Sequence, residues 1–174
     1  MMNILAICGS LRPESSNMTI LKAVPQWLPT KIQYHIYDHI GKLPHFDPTL
    51  NHEDTPTEVN RFRQLVADAD GIIICSPEYA FGIPGSLKNA LDWTVSSGEF
   101  NDKPVAVITA SSSGEKAHEA LLTVVNVITG HVPASSALLI PYIRTKVANG
   151  TITDEETIVK LQAVIVSLLH HMAA

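Results

Sequence analysis

The sequence predicts an α/β domain in which one five-stranded parallel sheet is covered by helices on both faces, and three observations predict it. Five short apolar runs recur along the chain, at Ile4–Cys8, Ile32–Tyr37, Gly71–Ser76, Val105–Ala110 and Ala137–Ile140. The first has no polar alternation, as expected of a strand buried on both faces. Helical apolar spacing fills the intervals, so the order is β-α repeated five times, the pattern of a parallel sheet with right-handed crossovers. With 174 residues, 45% of them hydrophobic, and no internal repeat, low-complexity tract or linker, 1–174 is expected to form a single domain around a sizeable core.

The first run leads into Gly9-Ser10-Leu11-Arg12-Pro13-Glu14-Ser15-Ser16-Asn17, a loop of hydroxyls, an amide and one arginine. Ile20, Leu21, Val24 and Leu28 then mark a helix. The connection from Asp38 to Asp54, with Pro44 and Pro48, is too long for a plain turn. Thr55-Pro56-Thr57-Glu58 reads as a capping box with proline at the first helical position, ahead of Val59, Phe62, Leu65 and Val66. Pro84 opens the next helix, which carries Leu87, Ala90 and Leu91. Ser112 with Glu115 reads as a second box, ahead of Leu121, Leu122, Val125 and Ile128, with Gly130 placed to stop the helix. Thr153 with Glu156 is a third, ahead of Ile158, Leu161, Ile165 and Leu168.

Composition excludes several function classes. A formal charge of -5 and a pI near 5.9 argue against nucleic acid as the main partner. No run has the length and purity of a membrane span, and the N-terminus lacks the cationic region of a signal peptide. Cys8 and Cys75 lie in apolar runs and read as small buried hydrophobes in a reducing cytoplasm, the expected location. His35, His39, His45 and His52 are spaced too irregularly for a metal-ligand pattern, and His170-His171 reads as solvated, so no metal is expected.

Open parallel sheets bind ligands beyond the carboxyl ends of their strands, where the strand order reverses. In the order 2-1-3-4-5 that crevice lies between strands one and three, lined by the loops after Cys8 and Cys75. The first loop has two readings. Unpaired N–H groups and the positive end of a helix dipole bind phosphate, and Arg12 adds a fork of donors; alternatively Ser15 or Ser16 only caps the helix. The second loop, Ser76 to Trp93, has two prolines and two glycines to stiffen it and exposes Tyr79 and Phe81. It suits a flat polar ring such as isoalloxazine, or its aromatics cover the sheet edge.

Together the two loops resemble a known family. Gly9-Ser10-Leu11-Arg12 with Ser15 and Asn17, paired with Pro77-Glu78-Tyr79, Ile83-Pro84-Gly85 and Leu87-Lys88-Asn89-Ala90-Leu91-Asp92-Trp93, resembles the NAD(P)H-dependent FMN reductases. That family holds flavin, quinone, azo-dye and chromate reductases on a flavodoxin-like fold, a three-layer sandwich with the sheet order 2-1-3-4-5. Leu43-Pro44-His45-Phe46-Asp47-Pro48, Lys103-Pro104-Val105 and Thr153-Asp154-Glu155 match more weakly, and the resemblance covers essentially the whole chain.

The resemblance implies that Ser10, Arg12, Ser15 and Asn17 hold the FMN phosphate, with backbone from Leu11 and a hydroxyl or N–H from Ser16. Pro77, Glu78, Tyr79 and Gly82 would lie along the isoalloxazine, mostly through main chain, and Ser111-Ser112-Ser113-Gly114 would close its other side. NADPH or NADH would reduce the flavin, which would pass electrons to a small-molecule acceptor in ping-pong fashion. The cofactor supplies the hard chemistry, so no catalytic residue is nominated. A homodimer or homotetramer is implied, because relatives build the acceptor pocket partly from a neighbouring subunit. Three departures stand out. Ala80 and Gly82 replace a common asparagine and serine, and the loop after the fourth strand is poorer in glycine than in many relatives.

Rival readings fare worse. A cysteine phosphatase needs its arginine six positions after the nucleophile, whereas Arg12 follows Cys8 by four and position 14 is Glu14. No Walker lysine or Gly-x-Gly-x-x-Gly follows the first strand. The serious alternative is a flavodoxin-like electron carrier without its own nicotinamide oxidation. Arg12, the Pro-Glu-Tyr loop and the modest negative charge favour the enzyme. A flavin-free module on the same fold is disfavoured by the intact phosphate motif.

Overall fold

The computed structural model describes residues 2–50, 54–129 and 132–173. Its sheet contains β1 (Met2–Cys8), β2 (Ile32–Tyr37), β3 (Gly71–Ser76), β4 (Val105–Ala110) and β5 (Ala137–Ile140), all parallel in the order β2-β1-β3-β4-β5. Every residue of β3 and β4 is buried, which is why these strands read as continuous apolar runs, whereas edge strand β2 alternates in exposure. Helices α2 (Thr57–Ala67), α3 (Gly85–Val95) and α4 (Glu115–Thr129) pack on one face, around Phe62, Trp93 and Leu121. Helices α1 (Ser16–Ala23) and α5 (Glu155–Met172) cover the other, around Ile20, Leu21, Leu161 and Leu168. The result is the expected three-layer α/β sandwich.

Register places the ligand-binding end. Cys8 is level with Cys75, so β1 and β3 finish side by side and their loops start together. The pairing runs one residue further, with the Gly9 N–H donating to the Cys75 carbonyl at 2.8 Å. A Cβ on Gly9 would meet Ser76 Oγ at 2.7 Å, so the close approach of the loops requires glycine here.

The strands fall where their patterns place them, while several helix ends do not. α1 stops at Ala23, and a 3-10 turn over Val24–Trp27 replaces the expected continuation to Leu28. Pro25 has no N–H to give the Leu21 carbonyl, so the α-helix cannot run through it. The box at Thr55 does not form: Pro56 occupies the cap of α2, which has no side-chain cap bond. Thr55 Oγ1 is instead buried without a hydrogen-bond partner among the described residues. At α5 the cap is Asp154, one residue later than expected, accepting from the N–H of Thr157 at 2.9 Å and from its hydroxyl at 2.5 Å. Those bonds hold the Asp154 carboxyl below the ordinary carboxylate range.

Thr153 is drawn elsewhere, its N–H bonding Lys146 O at 2.9 Å. That bond closes a small antiparallel hairpin, β6 (Val147–Ala148) and β7 (Thr151–Ile152), which the β-α pattern does not anticipate. Asn149 and Gly150, at φ 50° and 72°, form its turn, and Asn-Gly is the dipeptide such turns favour. The expected stop at Gly130 and the His52 of the histidine reading lie outside the described residues.

The unpaired hydroxyl generates a sharp test. Thr55→Val removes a buried polar group while keeping its shape, and should raise stability by about 1 kcal/mol in denaturant unfolding. A working cap at Thr55 demands the opposite, a loss of about 1 kcal/mol.

Candidate functional site

At the carboxyl ends of the strands the loops after β1, β3, β4 and β5 surround a cleft of about 560 Å³. The wall after β1 is a hydroxyl-rich turn built in short steps. Ser10 is buried and its Oγ accepts the Arg12 N–H at 3.3 Å, leaving its own hydroxyl proton to donate. The Ser15 N–H bonds Arg12 O at 3.2 Å, closing a turn over Pro13 and Glu14. Ser15 then caps α1, its Oγ accepting the Met18 N–H at 3.1 Å, while the Thr19 N–H bonds Ser15 O at 2.9 Å. No helix carbonyl can reach the N–H groups of Ser16 and Asn17, and both residues line the cleft at the positive end of the dipole. The capping reading holds for Ser15, and the same turn leaves the first two N–H groups of α1 without a helix carbonyl to bond.

Asn17 plays a different part from the one expected of its side chain. Its Nδ2 donates to Ala110 O at 3.2 Å and its Oδ1 accepts the Cys75 thiol at 3.3 Å. The amide thus pins α1 to the ends of β3 and β4, and only its backbone N–H is free for an anion. Burial pushes both thiols above the ordinary cysteine range, Cys75 strongly, and neither has the environment of a nucleophile.

The wall after β3 is a tight hairpin. Tyr79 and Gly82 exchange both backbone hydrogen bonds, at 3.1 and 3.0 Å, across Ala80 and Phe81 at φ 48° and 60°. This paired geometry spends the main chain of Tyr79 and Gly82 on each other. Gly82 does not line the cleft, and neither does Leu11, whose side chain packs against Gly41. The other expected positions, Ser10, Arg12, Ser15, Ser16, Asn17, Pro77, Glu78, Tyr79, Ser111 and Ser112, are brought together there.

Glu78 turns its carboxylate to the helix beyond the next strand. Oε2 accepts the Gly114 N–H at 2.9 Å and Oε1 accepts the Ala117 N–H at 3.0 Å. These donors stand just before and in the first turn of α4, so one distant carboxylate takes the place of the expected Ser112–Glu115 box. Gly114, at φ 98°, has no side chain with which to cap, and a Cβ there would meet Leu139 Cδ1 at 2.8 Å. Behind this loop His118 Nδ1 lies 2.9 Å from Thr109 Oγ1, and burial holds the imidazole below its ordinary pKa.

Sequence reasoning missed Arg144, which stands at the cleft with Ile143 on the segment after β5. Its position just beyond a strand's carboxyl end was the only signal available. A second groove of about 510 Å³ runs between α1 and the β6–β7 hairpin; it shares Glu14 and Ser16 with the cleft but none of the residues after β3 or β4.

The profile of the NADPH-dependent FMN reductase family matches residues 2–145. The chain belongs to that family. It is 30% identical over 118 residues to a quinone reductase of Escherichia coli, covering 65% of this chain and 61% of that protein. It is 36% identical over 113 residues to a 2-hydroxy-1,4-benzoquinone reductase of a Burkholderia species, covering 63% and 61%. The matches thus span under two thirds of these relatives. Among solved structures, the flavoenzyme FerB of Paracoccus denitrificans, an NAD(P)H:(acceptor) oxidoreductase, superposes with TM-score 0.79, covering 99% of this chain and 98% of that one at 24% identity. At that identity the likeness shows the flavodoxin-like fold.

Within this member of the family, much of the signature after β3 acts on structure. Asn89 Nδ2 and Trp93 Nε1 both donate to Pro44 O, at 3.0 and 2.8 Å, and the Phe46 N–H returns a bond to Asn89 Oδ1 at 2.7 Å. Phe46 meets the Trp93 ring edge-on at 5.1 Å. The long connection after β2 is therefore fastened to α3 at Pro44 and touched by Leu11 at Gly41, which explains why the Leu-Pro-x-Phe stretch accompanies the two loop motifs.

Glu78→Gln offers one acceptor oxygen where two N–H donors converge. It should lower unfolding free energy by about 1–2 kcal/mol and speed amide exchange at Gly114 or Ala117, read by hydrogen exchange of the apoprotein. Unchanged protection at both amides would remove Glu78 from the cap.

Proposed function

We propose that the protein is an FMN-dependent oxidoreductase that takes electrons from NADPH or NADH and delivers them to quinones, free flavin or related small acceptors by a ping-pong mechanism. The observation that carries this reading is the convergence, on one cleft, of the donor-rich turn at α1 with the stiff loop after β3 and the loop after β4. The residues fit the cofactor. Free N–H groups at Ser16 and Asn17, the hydroxyls of Ser10 and Ser15 and the Arg12 guanidinium form a donor set suited to a phosphate dianion. Bound FMN supplies the hydride and electron transfer.

The chain binds and orients. The α1 turn anchors the phosphate, with Asn17 acting through its backbone while its side chain keeps the strand ends in place. Tyr79, half exposed, and Pro77 flank the space for the flat ring, and Ser111 and Ser112 bound it opposite. The Tyr79 and Gly82 main chains are paired to each other, so contacts from this loop to the ring fall to Pro77, Glu78 and the Tyr79 side chain. No side chain is assigned a proton to move. Assembly as a homodimer or homotetramer and a cytoplasmic location belong to the same proposal, supported by the family resemblance and by the absence of any helix long and apolar enough to cross a membrane among the described residues.

The purified protein should be yellow and should oxidise NADPH or NADH when given a quinone, without any partner protein. An electron carrier would hold the flavin and fail this turnover. Arg12→Ala should weaken FMN binding by about 1.5–3 kcal/mol in titrations of the apoprotein, the scale of a charged hydrogen bond. A colourless protein that cannot be reconstituted with FMN sinks the reading.

A further inference from the structure

Arg144 is fastened to the cleft more firmly than an exposed arginine requires. Beyond β5 the chain stays bonded to the loop after β4: the Ser111 N–H donates to Ile140 O at 3.2 Å, the Ile143 N–H to Ser111 O at 3.1 Å and the Tyr142 N–H to Ser112 O at 3.2 Å. Tyr142 takes a left-handed bend, φ 56° and ψ 34°, unfavourable for a residue with a large side chain. Strain of this kind persists only where neighbours over-determine it, and it gathers at functional sites. The bend buries Ile143 and leaves its neighbour Arg144 exposed at the cleft. The Thr145 N–H and hydroxyl both bond Tyr142 O, at 3.0 and 2.9 Å, and the Lys146 N–H bonds Ile143 O at 3.0 Å, closing the turn behind it.

The base of the side chain is thus rigid while its guanidinium has no ion pair among the described residues. Arg12 stands at the same cleft, also without one. A single cofactor phosphate already has Arg12, two free N–H groups and serine hydroxyls. A second unpaired guanidinium is surplus to that anion. Glu14 and Glu78 are the acidic side chains at the cleft. Glu78 is committed to the N-terminus of α4, and Glu14 is exposed in the turn after β1.

The proposed reaction brings further phosphates to this cleft. A nicotinamide dinucleotide carries a pyrophosphate, and its phosphorylated form a ribose monophosphate as well. Resting on the function proposed above, we infer that Arg144 binds a phosphate of the nicotinamide dinucleotide and thereby sets the affinity for that substrate. A guanidinium suits the task because its planar fork meets two phosphate oxygens at once.

The test compares wild type with Arg144→Ala, Arg144→Glu and Arg144→Lys, changes at an exposed position. In the FMN-loaded alanine variant, KM for NADPH should rise about tenfold or more, with kcat against a saturating quinone held within about twofold. Binding of NADP+, which transfers no hydride, should weaken by the same factor, further in the glutamate variant and less in the lysine variant. FMN affinity of the apoprotein should stay within about twofold of wild type. A loss shared with NADH assigns the contact to the pyrophosphate, and a loss confined to NADPH assigns it to the ribose phosphate. Unchanged dinucleotide affinity in the alanine and glutamate variants overturns the inference while leaving the proposed function standing, as does weakened FMN binding with unchanged dinucleotide affinity. Wild type that binds FMN yet oxidises neither dinucleotide overturns the proposed function, and the inference with it.

Discussion

The cleft depends on the carboxylate of Glu78. It joins two loops that the chain separates by more than thirty residues, by taking the N–H groups of Gly114 and Ala117 at 2.9 and 3.0 Å. In an ordinary capping box two side chains share this work, each satisfying one donor. Here the cap residue is a glycine whose φ of 98° admits no side chain without collision, so both acceptors must come from outside the helix. Only a carboxylate carries two acceptor oxygens in one plane. The position of the loop after β4 relative to the loop after β3, and hence the width of the cleft between them, follows from that requirement.

The same dependence explains which parts of the fold were legible. A strand buried on both faces is recorded in consecutive residues, and Gly71–Ser76 and Val105–Ala110 were readable to their ends. Caps are recorded locally only when the partner is local. Ser15 and Asp154 sit three residues before the amides they bond, and both lie within or beside stretches that sequence singled out. The cap of α4 is contributed by a residue before β4, which no short-range pattern can show. At α2 the local signal was present and misleading: Pro56 took the cap position, and Thr55 was buried with nothing to bond.

Recognition of the site was carried by the two loop motifs, and the structure divides their residues by task. Ser10, Ser15 and Ser16 line the cleft. Asn17 reaches it only through its N–H, because its amide spans Ala110 and Cys75, and Asn89 and Trp93 serve the connection at Pro44 instead. A motif records residues that must stay together, not what each touches. Ala80 shows the limit from the other side. It stands at φ 48° where relatives commonly place asparagine, a residue that tolerates the left-handed region, so this turn is held by the Tyr79–Gly82 pairing at a cost of about 1–2 kcal/mol for each left-handed residue. Arg144 was invisible because a single arginine after a strand has no spacing to test.

Net charge and site charge also part company. The chain carries a formal charge of -5, yet two arginines, Arg12 and Arg144, line the cleft. Screening confines the influence of exposed charges to about 8–10 Å at ordinary ionic strength, so acids on distant faces matter little. What matters is the local arrangement. The α1 turn presents the positive end of a dipole with two N–H groups that no helix carbonyl reaches, and two arginines at the cleft have no ion pair among the described residues. Of the acids there, Glu78 faces the donors of α4 rather than a ligand, while Glu14 is solvated at the rim. The carboxylate that fixes the loops is also offset by the helix it caps, so the structural requirement at α4 turns the Glu78 charge toward a helix N-terminus rather than leaving it free in the cleft.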